Sequence, residues 1–164
     1  MMVEEALQVL KLQEEILQFS HFTNADAWEL GMQMVAEAKR RDLPIAIRIQ
    51  KNSGYIVFQY GNDKTSLDNQ KWMDRKANTV KRMEMSSLRF CLTLQEQEES
   101  LQARGMDEAS YVACGGGFPI YIEEVGVIGS ICVSGLDHIS DHDFAIKCIS
   151  KYLHVDEIPR ISAV

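Results

Sequence analysis

The segment from Asp68 to Val80 carries the side chains best suited to holding a small molecule. On a helix, one face would carry Trp72, Arg75, Lys76 and Thr79, at positions i, i+3, i+4 and i+7. An indole stacks on a flat ring and cations pair with carboxylates, so this face predicts a site for a flat, anionic ligand. The alternative is a tryptophan at the edge of the core, with the cations solvated or paired to acids of a neighbouring subunit.

Three consecutive glycines, residues 115–117, come before a predicted strand. They lack the spacing of a nucleotide-binding loop and do not join a strand to a helix, so no phosphate site is expected. Our main interpretation is that glycine allows close backbone approach where the strand joins the sheet. A loop that leaves room for a ligand is the alternative.

Small residues continue along the next predicted strand. Alternation places Ser130, Cys132 and Ser134 on one face, which suits either a closely packed helix or the floor of a pocket. Packing is the main interpretation. Ser134 has no G-x-S-x-G context, so no nucleophile elbow is predicted.

His138 and His142 lie four residues apart among three aspartates, and they are the candidate metal ligands of this chain. The competing interpretation makes Ser140 the N-cap of a helix with Asp143 at its third position. His138 would then lie in the preceding loop, and the acids would be explained by the helix dipole. We therefore expect no metal site.

Composition excludes several functional classes. The 164 residues fit a single domain, 1–164, with a net charge of -7 that disfavours general nucleic-acid binding. The longest apolar run, residues 125–133, is much shorter than the roughly 20 residues of a membrane span. The four cysteines form no C-x-x-C pair and are expected to be reduced. The acidic start does not resemble a signal peptide, so a cytoplasmic location is expected, without nucleic-acid or membrane partners.

The pattern of apolar residues places these motifs on helices and strands. The predicted order is helix 1–20, helix 24–40, strand 45–50, strand 55–60, helix 68–86, strand 118–123, strand 127–134 and a helix from Ser140. Residues 87–104 fit a helix or a strand, and we favour the helix. Both strand pairs read as antiparallel hairpins, which predicts an α+β sandwich with one sheet covered by helices.

The pattern GGGFPIYIEEVGVIGSICVSGL, followed by DHDFAIKCI, resembles the signature of the haem-degrading-domain family. The whole chain is more specifically similar to a branch of small cytoplasmic proteins of that family, through NADAWELG (24–31), PIAIRI (44–49) and NQKWMDRKANTVKRMEMSS (69–87). The resemblance implies a profilin-like sandwich, a symmetric homo-oligomer and haem as a possible ligand. It matches the family's basic helix to Arg75 and Lys76. It matches the family's glycine-proline and serine-glycine corners to Gly116, Gly117, Pro119, Ser134 and Gly135.

Two functions follow as hypotheses. The first is an oligomeric protein that binds haem or another flat anionic ligand between the Trp72–Thr79 helix and the glycine corner. The second is a partner-binding or assembly protein that turns over no small molecule. No paired carboxylates or metal spacing identify catalytic residues, so enzymatic activity is left open. The apolar tail, residues 156–164, is predicted to contribute to an oligomer contact.

Overall fold

Within residues 1–161 the fold is built on one antiparallel sheet of four strands. The structure, a computed structural model, describes residues 1–161. The strands are β1 (Ala46–Lys51), β2 (Ile56–Gly61), β3 (Gly117–Ile122) and β4 (Gly126–Ser134), in the spatial order β2-β1-β4-β3. The two hairpins meet where β1 pairs with β4. The predicted α+β sheet made of two hairpins is confirmed.

Helices cover both faces of the sheet. On one face, α2 (Asn24–Arg40) and α5 (His138–Tyr152) enclose the main core, which includes Ile47, Phe118 and Ile131. On the other face, α3 (Leu67–Met83) packs through Met73 and Ala77 against the small residues of β1 and β4. The remaining helices, α1 (Val3–Ile16) and α4 (Ser87–Gln97), form a smaller cluster with each other. None of these helices has the length and apolar character needed to cross a bilayer.

The ambiguous segment after α3 is a separate helix. Glu84 ends α3 in the left-handed conformation, and the Ser86 hydroxyl then accepts a hydrogen bond from Arg89 N at the start of α4. The helical interpretation of this segment is confirmed, although α4 ends at Gln97, well before residue 104. A left-handed cap followed by a serine N-cap separates two helices that the sequence pattern joins.

The last helix begins earlier than predicted. Asp137 is the N-cap, and its carboxylate accepts hydrogen bonds from both the backbone N–H and the hydroxyl of Ser140. The assignment of Ser140 as N-cap is therefore wrong, because an ionised carboxylate three residues earlier already satisfies the helix amides. His138 is the first residue of α5 and not part of the loop.

The C-terminal segment folds back on its own chain. Ile158 packs on the main core, Ile161 packs beside α1 and α4, and Gln13 Nε2 donates to Pro159 O at 2.8 Å. Residues 162–164 of the predicted oligomer contact lie outside the described residues. The contact itself stays a prediction.

Protonation of His142 is expected to destabilise the protein. This side chain is 1% exposed, its Nε2 lies 2.8 Å from Gln13 Oε1, and its Nδ1 has no partner among the described residues. Burial lowers the pKa of His142 from 6.5 to about 4. The folded state favours the neutral ring of His142. The protein therefore has its full stability with respect to this group above pH 6.5 and loses stability as the pH falls towards 4.

The measurement is chemical denaturation of wild type and His142→Gln between neutral pH and pH 4. The Gln13 contact can be kept by the amide, but the substituted side chain does not titrate. We expect the stability of the wild type relative to the variant to fall by roughly 3 kcal/mol over this range. Parallel pH curves for the two proteins would contradict the assignment.

Candidate functional site

A cleft of about 450 Å³ opens between the start of α3 and the start of α5. Helix α3 lines it with Asp68, Asn69, Trp72 and Lys76. The turn after β4 and the first turn of α5 line it with Ser134, Gly135, Leu136, His138 and Asp141. Cys114, in the loop before β3, completes the lining. We call this site the Trp72 cleft.

The floor of the Trp72 cleft is a buried ion pair. Lys76 and Asp141 are each 2% exposed, and Lys76 Nζ lies 3.2 Å from Asp141 Oδ2. Lys76 Nζ also donates to Val133 O at 2.8 Å, and Leu136 N donates to Asp141 Oδ1 at 2.9 Å. Burial raises the pKa of Asp141 to about 6, although the nearby ammonium group opposes the rise. The desolvation of this carboxylate therefore exceeds its attraction to Lys76.

The rim carries an indole and a guanidinium group. Trp72 is 36% exposed, and the guanidinium of Arg75 lies 4.5 Å from the centroid of its ring system. Arg75 Nε also donates to Tyr111 O at 3.4 Å. Arg75 thus covers part of the indole and brings positive charge to the rim.

His138 and Cys114 are held in defined protonation states. Gly115 N donates to His138 Nδ1 at 2.9 Å, so the proton of the neutral ring lies on Nε2. Burial lowers the pKa of His138 and raises the pKa of Cys114. The side chains therefore present a neutral N–H donor and a protonated thiol.

The four residues that helical spacing placed on one face of α3 do not all lie at the cleft. Trp72 and Lys76 line the cleft, Arg75 lies beside it, and Thr79 lies elsewhere. Thr79 is fully buried, and its hydroxyl donates to Val112 O at 2.8 Å and accepts from Val112 N at 3.1 Å. It fastens the loop before β3 to α3.

The glycine corner lets α3 approach the sheet. A Cβ on Gly116 would lie 2.5 Å from Val133 O and 2.6 Å from Lys76 Nζ. Gly117 N donates to Ser87 Oγ at 2.9 Å, and Pro119 is buried in β3 opposite Ser130. The close-approach interpretation of the glycines is confirmed, as is helix packing on the small residues of β4. Of the two corners that the family resemblance indicated, the serine-glycine corner, Ser134 and Gly135, lines the cleft.

Sequence reasoning missed Asn69 and Asp141. Asn69 precedes Trp72 and Lys76 by three and seven residues, so helical spacing could have included it. Its Nδ2 donates to Ser134 Oγ at 3.2 Å. Asp141 lies 65 residues from its partner Lys76, and no local pattern indicates such a pair.

The two candidate metal ligands are held by different partners. His138 bonds to Gly115 and His142 to Gln13, although both now lie on α5 at helical spacing. Among residues 1–161, no group of three or more His, Cys, Asp or Glu side chains is placed to hold a metal ion.

Comparison with known sequences relates the chain to one protein family. A family model described as haem degrading protein HbpS-like matches residues 22–150. A UPF0303 protein of Yersinia pseudotuberculosis serotype O:3 (strain YPIII) is 35% identical over 154 residues, which cover 93% of this chain and 90% of the relative. A UPF0303 protein of Yersinia enterocolitica is 33% identical, with 93% and 91% covered.

Solved structures share the fold. The crystal structure of the Ybr137w protein superposes with a TM-score of 0.83 at 25% identity, covering 90% of this chain and 87% of that one. The crystal structure of a PduOC–haem complex gives a TM-score of 0.67 at 20% identity, covering 79% and 93%. The crystal structure of HbpS gives a TM-score of 0.65 at 15% identity, covering 83% of this chain and 92% of that one.

Proposed function

This chain belongs to the HbpS-like family of haem degrading proteins, and from that premise we propose that it binds a small, flat ligand in the Trp72 cleft. The observation that carries the proposal is a buried ion pair at the floor of an open cleft, below a partly exposed indole. Perturbed ionisable groups in a cleft are typical of functional sites. Here the ionised form of Asp141 is disfavoured by burial, as expected where function opposes stability.

The lining suits a ring with an oxygen acceptor. Trp72 supplies a flat apolar surface, His138 Nε2–H supplies a hydrogen-bond donor, and Arg75 supplies positive charge at the rim. A few polar groups around an aromatic wall are the usual composition of a small-molecule site. Haem and other flat anions belong to this class of ligand.

Haem fits this cleft only in part. Its ring and propionates suit the indole and the rim cation, but axial ligation needs a lone pair aimed at iron. Nδ1 of His138 accepts from Gly115 and its Nε2 carries the proton, while burial raises the pKa of the Cys114 thiol. The donor set therefore does not fit an axially ligated haem. We propose no bond between iron and the protein here.

Replacing Trp72 with Ala should weaken binding of the ligand by at least about tenfold, because the stacking surface is lost. The measurement is isothermal titration calorimetry with haem and with isonicotinate, a small flat carboxylate. Trp28→Ala is the matched control, because Trp28 is 59% exposed and packs against Phe58 on the opposite side of the sheet. Equal affinities in the two variants would place the site elsewhere.

A second candidate function, self-assembly, is favoured by the free edge of β2. Within the described residues β2 pairs with β1 alone. Asn62 N donates to Ile45 O, and bonding alternates along an antiparallel pair, so the backbone groups of Gln59 and Gly61 face outward. Tyr55 and Ile56, next to this edge, are 61% and 39% exposed. We propose that two copies pair antiparallel through β2, which makes the protein a homo-oligomer.

Ile56→Lys should dissociate this assembly, because an edge lysine opposes strand pairing. Light scattering of the wild type at micromolar concentration should give a mass of at least two chains, and the variant a lower one. The amides of Gln59 and Gly61 should be protected from hydrogen exchange only in the assembly. The control is Val125→Lys, since Val125 is 72% exposed in the β3–β4 turn. A monomeric wild type would refute the assembly, and an unchanged variant would refute the β2 interface.

A further inference from the structure

Lys76 is the amine among the nucleophilic side chains that line the Trp72 cleft. Two of its ammonium hydrogens are directed to Val133 O and Asp141 Oδ2, and no acceptor among residues 1–161 is recorded for the third. Gly116 lets Nζ lie against the main chain, because a Cβ there would lie 2.6 Å from it. Lys76 is one of the residues that line the cleft, although only 2% of its surface is exposed.

Lys76 lies beside a side chain that can accept its proton. Lys76 and Asp141 are both removed from water. Asp141 Oδ2 lies 3.2 Å from Nζ, within reach to accept a proton. Burial raises the pKa of Asp141 to about 6, so its carboxylate holds a proton more firmly than an ordinary aspartate. Imine formation requires a lysine amine that has lost a proton, and Asp141 is the adjacent base placed to take that proton.

The charges at the floor of the cleft favour a ligand with a neutral carbonyl group over a ligand with a carboxylate. Asp141 already neutralises Lys76, so the floor offers a carboxylate no net positive charge. A neutral carbonyl group needs no positive charge, and His138 Nε2–H is a donor for its oxygen. The ring of such a ligand would then lie towards Trp72 at the rim.

Building on the proposed ligand site, we propose that Lys76 captures the aldehyde or ketone group of a flat ligand as an imine. Asp141 takes one proton from the ammonium group, and the Nζ lone pair bonds to the carbonyl carbon while the carbonyl π electrons move to oxygen. A proton passes from nitrogen to that oxygen, which gives a carbinolamine. Asp141 returns its proton to the hydroxyl, the C–O bond breaks, and water leaves. The products are a protonated imine, water and the Asp141 carboxylate, so no oxidant or reductant is consumed.

The test uses isonicotinaldehyde, a flat aromatic aldehyde, with borohydride added to reduce any imine to a stable amine. Intact-mass analysis at limiting aldehyde counts the adducts, and peptide mapping locates them. We expect modification of Lys76 to exceed that of Lys71 by about tenfold or more, because only Lys76 is desolvated beside a proton acceptor. Lys71 is the internal control, 64% exposed on the same helix. The comparison is made within wild-type protein and does not depend on a variant that folds.

Lys76→Arg and Lys71→Arg complete the test, since arginine keeps the charge and forms no imine under these conditions. The Lys76 change should abolish the principal adduct and the Lys71 change should leave it. Calorimetric binding of isonicotinaldehyde that is weakened by Trp72→Ala, with no adduct at Lys76, would overturn the imine and leave the ligand site standing. Absence of both binding and adduct would overturn both. Adducts spread evenly over the surface lysines would also overturn the imine.

Discussion

Alanine in place of Gly116 is expected to lower the free energy of unfolding by at least about 3 kcal/mol. Gly116 has φ +124°, where residues with a side chain are strained, and its Cβ would lie 2.5 Å from Val133 O. The backbone must therefore move at the point where β3 begins. The same shift would displace Lys76 Nζ, 2.6 Å from the added atom. Loss of stability and loss of ligand binding should appear together.

Gly126→Ala separates backbone strain from the clash. Gly126 has a similar φ of +117° at the start of β4, but nothing lies within 4 Å of an added Cβ. Gly126→Ala should lower the free energy of unfolding by about 1 to 2 kcal/mol, from conformational strain alone. Urea denaturation of both variants gives the comparison. Equal losses would mean that Gly116 is needed only for its backbone angle.

The Lys76–Asp141 pair should respond asymmetrically to substitution. Because burial raises the pKa of Asp141 from 3.8 to about 6, the folded state disfavours its carboxylate at neutral pH. Asp141→Asn, which removes only that charge, should stabilise the protein at pH 7 by up to about 3 kcal/mol. Lys76→Met should destabilise it by about 2 to 4 kcal/mol, since a buried carboxylate is left without its cation and Val133 O without its donor.

The pH dependence has a definite sign. A carboxyl whose pKa is raised by folding destabilises the folded state above pH 6, and this penalty disappears as the pH falls through 6 towards 3.8. The gain from Asp141→Asn should therefore vanish near pH 4. His142 acts in the opposite direction over the same range, so wild type alone would not separate the two groups.

Glu99→Gln is the control for general charge effects, because Glu99 pairs with Arg104 at the surface. Its effect should stay within about 0.5 kcal/mol at every pH. If Asp141→Asn instead destabilised the protein at pH 7, the pair would be a structural support of the fold and not a strained functional element.

The sheet could be predicted because each hairpin is a local feature. Alternating isoleucines at positions 45, 47 and 49 mark one buried face of the predicted strand 45–50, and Asn52-Ser53-Gly54 marks the turn that follows. Arg48 shows the limit of this reasoning. Alternation put it on the opposite face, yet α3 buries it to 2% exposure beside Gln59 and Asp74. Burial of that face depends on a helix that begins nearly twenty residues later.

The site could be predicted only where its residues lie close together in the sequence. Trp72 and Lys76 share a helix and could be grouped by spacing, and the serine-glycine corner was identified through the family resemblance. Asp141 and Cys114 join them only after the sheet has folded. Helical spacing also could not separate outward from inward positions, so it placed the buried Thr79 beside the exposed Trp72.

The central claim is that a small, flat ligand occupies the Trp72 cleft. Trp28 and Trp72 are the two tryptophans of the chain, so the Trp28→Phe variant reports on Trp72 alone. Titration of this variant with haem and with isonicotinaldehyde, followed by indole fluorescence, tests the claim most directly. We predict saturable, one-to-one quenching by at least one of them, with the Trp72→Phe protein showing little change in Trp28 emission. Unchanged Trp72 emission with both ligands, or equal quenching of Trp28, would contradict it.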